Sequence, residues 1–113
     1  MDRIIEKIVG LGVPGIMLLV SMSMTGLYGA AAITAGLALL GPGGMLGGIA
    51  TLLVASAITA GLTEYGFDAL FRGVIKKLYA KGETKESLAR KIKRGPWSRK
   101  LKAKALSDLR KLN

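Results

Sequence analysis

From Ile8 to Thr63 the chain runs 56 residues without a charged side chain. No other feature limits the fold as strongly. A helix rises about 1.5 Å per residue and a bilayer core is roughly 30 Å thick, so one span takes about 20 residues. Fifty-six residues are too many for one span and about right for two. A break falls inside the block at Gly41-Pro42-Gly43-Gly44. Pro42 lacks an N–H and disfavours helix at Gly41, and backbone polar groups left unpaired there belong at a membrane surface. The pattern predicts an all-α protein: an integral membrane two-helix hairpin, rich in Gly and Ala, with its turn at 41–44. The first arm would run from about Gly15 to Leu40, and the second from about Met45 through Glu64 into the cytoplasm. A helix that is apolar all round also suits the interior of a protein assembly.

Three regions follow. Residues 1–13 form an amphipathic N-terminal segment, with Ile4, Ile5, Ile8 and Val9 on one side. Residues 14–71 hold the hairpin, with Pro14 in the first turn of its first arm, where a missing N–H costs little. Residues 72–113 form a basic helical tail. A secretory signal with Ala30-Ala31-Ala32 at its cleavage site competes with this, but the uncharged stretch before it is long and a second apolar segment follows. Residues 69–113 carry 15 basic and 3 acidic groups, so the positive-inside tendency keeps the tail cytoplasmic. Two spans then put both termini on that side.

Between Ser21 and Thr63, 26 of 43 residues are Gly, Ala, Ser or Thr, more than a lone lipid-facing helix needs. Small residues at i, i+4 let helices approach closely in lipid. Ser21/Thr25/Gly29 and Ala32/Gly36 have that spacing on the first arm, as do Gly47/Thr51/Ala55/Thr59/Thr63 and Ala57/Gly61 on the second. The glycines expected at helix contacts are Gly26, Gly29, Gly36, Gly47, Gly48 and Gly61. They serve either the pairing of the two arms or, with more than one small face per arm, a homo-oligomer. The hydroxyls of Ser21, Thr25, Thr51, Thr59 and Thr63 either bond back to their own helix or line a wet path through an oligomer. No ionisable group lies inside the block, which disfavours an intramembrane proton relay or charge filter.

Past the block, Glu64, Asp68, Arg72 and Lys76 stand at i, i+4 intervals with acids first, predicting an unbroken exit helix laced by weak pairs. Gly82 is expected to end it, and Thr84 to cap a short helix stopped at Gly95-Pro96. Ser98 is expected to cap a last helix with Leu101, Ala105, Leu109 and Leu112 on one side. Arg99, Lys100, Lys102, Lys104, Arg110 and Lys111 occupy its other faces. Such a helix fits an anionic headgroup layer, its leucines at the acyl boundary, with Trp97 in the same layer. A protein partner for the tail is the next candidate. Nucleic acid is disfavoured, since no base-reading fold is evident and only Trp97 could stack.

The chain has no Cys and no His, so the usual thiolate nucleophile, general base and soft metal ligands are all missing. No phosphate-loop pattern is present. The sequence therefore points to no enzyme, cofactor or metal, and the acids at 64 and 68 are assigned to structure rather than catalysis. The layout, two apolar segments followed by a short basic cytoplasmic tail, resembles that of two-span phage holins, with no residue-level motif in common. It implies a small oligomerising protein that opens the bilayer. The alternative is a non-perforating anchor, scaffold or small subunit of a membrane complex.

Overall fold

The computed structural model describes residues 1–25 and 49–112, and these form six α-helices and no strand. They are α1 (Asp2–Gly10), α2 (Val13–Thr25), α3 (Ile49–Tyr65), α4 (Phe67–Ala80), α5 (Lys85–Arg94) and α6 (Arg99–Arg110). The all-helical class is as the sequence predicts. No single helix among the described residues is long and apolar enough to cross a membrane. One bent pair passes that test together: Asp2–Gly10 with Val13–Met24, at 116° to each other.

The bend follows from local chemistry. α1 ends as Leu11 and Gly12 donate their N–H groups to the Ile8 and Val9 carbonyls at 3.1 and 2.8 Å. Gly12 has φ +70°, a region that costs a residue with a Cβ about 1–2 kcal/mol. α2 then starts with Pro14 in its first turn, as expected. Both helices are so close at this corner that the Ile8 carbonyl oxygen would lie 2.1 Å from a Cβ placed on Gly15.

α2 is the axis of the fold. It packs against each of the other five helices, and every residue from Gly15 to Met22 is buried. Four of these neighbours, α1, α4, α5 and α6, are amphipathic and turn their apolar sides inward. α1 contributes Ile5, Ile8 and Val9, and α4 contributes Leu70, Phe71, Val74, Ile75 and Leu78. Leu88 and Ile92 come from α5, and Leu101, Ala105 and Leu109 from α6. The apolar surface that suggested a membrane arm is, over the described residues, enclosed by the chain itself. Near 25 cal/mol per Å² of apolar area removed from water, this burial is the main favourable term in the fold.

The exit helix is not continuous. α3 stops at Tyr65, Gly66 adopts φ +85°, and α4 begins at Phe67. The break turns the apolar side of α4 back onto α1, α2 and α3, which an unbroken rod would have carried away from them. It also ends the i, i+4 register between Glu64 and Asp68. Among the described residues the only ion pairs are Glu83–Lys91 and Lys104–Asp108, so the expected ladder of four does not form.

Downstream, the local signals hold. Gly82 has φ +104°, and the N–H of Glu83 donates back to the Leu78 carbonyl at 3.0 Å. The Thr84 hydroxyl accepts from the Ser87 N–H at 3.0 Å while the Thr84 N–H donates to the Ser87 hydroxyl at 2.9 Å, a reciprocal cap. Gly95 ends α5, and the Ser98 hydroxyl accepts the Leu101 N–H at 3.2 Å to start α6.

Candidate functional site

The six cations expected at an anionic surface divide into two groups. Arg99, Lys100, Arg110 and Lys111 are exposed, with no side-chain hydrogen bond or ion pair among the described residues. Lys102 and Lys104 are half-buried and engaged within the fold. The Lys102 ammonium donates to the Lys93 carbonyl at 2.9 Å. That of Lys104 donates to both oxygens of the buried Asp108 carboxylate, at 2.7 and 2.8 Å, and lies 5.3 Å from the Phe67 ring centre. Phe67 stacks on Phe71 at 5.2 Å, so Lys104 caps an aromatic pair rather than facing solvent freely.

The apolar stripe of α6 faces the protein core in this structure. Leu101, Ala105 and Leu109 are enclosed against the core, because α6 packs directly on α2. Trp97 is buried as well, its ring seated against Gly95, where an added Cβ would come within 1.8 Å of the ring edge. Its indole N–H has no acceptor among the described residues. In this structure Trp97 is thus a packing residue of the α5–α6 corner.

Of the glycines expected at helix contacts, only Gly61 is among the described residues; Gly26, Gly29, Gly36, Gly47 and Gly48 lie outside them, as does the turn Gly41, Pro42, Gly43 and Gly44. Gly61 does mediate a close contact, inside this chain. A Cβ there would meet Leu70 Cδ2 at 2.8 Å and Ile4 Cγ2 at 3.2 Å, so it seats α3 against α4 and α1. Four hydroxyls of the block bond back to their own helices: Ser21 to the Leu18 carbonyl at 2.8 Å, Ser23 to Val20 at 2.7 Å, Thr59 to Ala55 at 3.1 Å and Thr63 to Thr59 at 2.9 Å. They are satisfied without a water path. The outer side of α3 carries Leu53, Ser56, Ala60 and Thr63, all exposed, and Leu53 at 61% is the most exposed large apolar residue described.

The exposed charge elsewhere continues the basic face. Arg90, Lys93 and Arg94 of α5 are exposed. Lys91 is held by Glu83 at 2.6 Å, and its bond, with that from the Ser87 hydroxyl, keeps the Glu83 carboxyl below the usual carboxylate range. Burial, followed by the Glu86 charge, pushes the Tyr79 phenol up, so Tyr79 stays a hydrogen-bond donor. Tyr79 lines a cleft of about 500 Å³ between α4 and the segment after α6, together with Arg72, Ile75, Lys76, Lys111 and Leu112. The sequence gives no hint of it, since residues 72–79 and 111–112 meet only through the packing of α6 across the core. Among the described residues no group of three or more Asp or Glu side chains is placed to hold a metal. No family model, curated protein or solved structure matches this chain.

Proposed function

We propose that this chain is a small membrane-active protein that permeabilises the bilayer as a homo-oligomer, with its basic tail at the cytoplasmic membrane surface and both termini on that side. The observation that carries the proposal is α2, uncharged and buried from Gly15 to Met22, with exposed cations on the outer sides of α4, α5 and α6, three of the five helices that sheathe it. The basic faces are drawn to anionic headgroups, each nearby Lys or Arg contributing about 1 kcal/mol. At the surface α2 exchanges protein neighbours for lipid tails, which are as apolar as the leucines it leaves. The amphipathic helices that enclosed it then lie in the interface, apolar side down. This sequence of events reconciles a closed bundle with a 56-residue uncharged block.

A second reading is favoured by Gly61. That glycine spends its small face on Ile4 and Leu70 of its own chain, which leaves one fewer close-packing surface for other copies. A non-perforating anchor or scaffold, whose exposed cations recruit a partner, needs no such surface. Dye release from anionic and neutral liposomes by purified full-length protein separates the two. Release from anionic vesicles supports permeabilisation; retention of dye by vesicles in which the protein is inserted supports the anchor.

A further inference from the structure

Arg72 and Lys76 leave the outer side of α4 exposed and without an ion pair among the described residues. Both point into the cleft of about 500 Å³ that Lys111 and Leu112 close from the other side. The far wall is fixed in place: the Lys85 ammonium on α5 donates to the Leu112 carbonyl, and Leu109, three residues before it, is buried in the core. Three cations therefore converge on one concave site, and among the described residues its lining contains no Asp or Glu side chain. A neighbouring recess shares Arg72, Lys111 and Leu112 with the cleft and adds Asp68 and Asp108, the latter held by Lys104, so the cations still outnumber the carboxylates free to pair with them. Like charges in excess of their counter-charges repel, and a bound anion relieves that repulsion. The cleft is not purely polar either, because Ile75, 2% exposed, and Leu112 supply apolar walls. Its size falls within the roughly 300–1,000 Å³ typical of small-ligand pockets.

We propose that this cleft is a headgroup site for a single anionic phospholipid. The Arg72 guanidinium grips two phosphate oxygens as a fork, Lys76 and Lys111 add point charges, and the Tyr79 hydroxyl donates one hydrogen bond. Ile75 and Leu112 meet the first carbons of the acyl chains. The apolar walls select a lipid over a free phosphate, which would leave them facing water. In the cell this site serves the membrane-surface reading above and rests on it, but the binding itself can be measured without a membrane.

The test is titration of full-length isotope-labelled protein with dihexanoyl phosphatidylglycerol below its micelle concentration, followed by nuclear magnetic resonance. Inorganic phosphate and dihexanoyl phosphatidylcholine run as parallel arms. Saturable shifts are expected at Arg72, Lys76, Tyr79 and Lys111, with phosphate and the zwitterionic lipid each about tenfold weaker or more. Arg72→Gln combined with Lys111→Gln should weaken phosphatidylglycerol about tenfold or more, while Arg99→Gln combined with Lys100→Gln should leave it unchanged. All four side chains are exposed, and an unaltered Trp97 emission verifies the fold of each variant. Phosphate binding as tightly as the anionic lipid would overturn the lipid assignment, and shifts spread evenly over all the basic helices would overturn the site. Flotation with anionic vesicles distinguishes the two proposals. Vesicle binding without short-chain lipid binding removes the cleft alone, and short-chain binding without vesicle binding removes the membrane reading alone.

Discussion

The corner between α1 and α2 offers the sharpest test of the packing, through Gly15→Ala. The new methyl would lie 2.1 Å from the Ile8 carbonyl oxygen, 3.1 Å from its carbon and 3.3 Å from Ile8 Cγ2. Carbon–oxygen contacts normally start near about 3.3 Å, so the overlap is roughly 1.2 Å against backbone that no rotamer change can move. That same oxygen accepts the Leu11 N–H at 3.1 Å, so shifting it disturbs the end of α1 as well. Overpacking of this kind costs about 1–3 kcal/mol, while Ala in place of Gly in a helix returns at most about 1 kcal/mol. If α1 lifts instead, Ile5, Ile8 and Val9 lose part of a burial contribution of about 1.5–3 kcal/mol each. The expected net loss is about 2 kcal/mol, read as a lower urea midpoint at unchanged slope in circular dichroism. Gly10→Ala, five residues away with nothing within 4 Å of the added carbon, is the control and should be neutral or slightly stabilising. A Gly15→Ala protein as stable as the parent would refute the described docking of α1 on α2.

Three further outcomes follow from other contacts. Gly95→Ala should displace the Trp97 ring, with a red shift of the single tryptophan's emission and a loss of about 1–3 kcal/mol, because the added carbon falls 1.8 Å from the ring. Because Glu83 has its carboxyl held below the usual 4.5, its contribution is complete above that pH and is lost as pH falls through the lowered folded value. An acid titration of stability should therefore flatten over that window in Glu83→Gln, by up to about 1 kcal/mol for a pair this close to solvent. On the exposed side of α3, Ala60→Leu should leave the bundle's stability unchanged within about 0.5 kcal/mol yet reduce oligomer size in lipid, measured by cross-linking, if copies pack there. Gly61→Leu would not serve, since it breaks contacts with Ile4 and Leu70 first.

The parts of the fold legible in the sequence are those fixed by local chemistry. Thr84, Gly95 and Ser98 mark their helix ends because a side-chain cap or a missing Cβ acts within one turn, and the structure uses all three. Gly66 escaped notice for a related reason. In the sequence it looks like Gly61, five residues earlier, yet one breaks the helix at φ +85° and the other lies inside it as a packing surface. Only the tertiary demand to bury Leu70, Val74 and Leu78 separates their roles. α2 was legible as apolar on all sides, but lipid and a protein core impose the same requirement on a helix. The stripe Leu101, Ala105, Leu109 was likewise correctly seen as amphipathic, while its partner, α2, lies some 80 residues earlier in the chain. Of the basic surface, the charges were visible and their convergence was not, since Arg72 and Lys111 meet only once α6 has docked.

The most direct test of membrane entry uses the outer side of α3. The chain has no Cys, so Leu53→Cys, at a site 61% exposed, accepts a polarity-sensitive fluorophore uniquely and without disturbing the core. Emission is recorded in buffer and with anionic vesicles carrying nitroxide quenchers deep in their acyl chains. If α3 enters the bilayer, the emission is water-like in buffer, shifts to the blue with vesicles and is quenched by the deep nitroxide. A label that stays water-like and unquenched on vesicles the protein has bound would contradict membrane entry, and would leave this chain a closed helical bundle that meets membranes only at their surface.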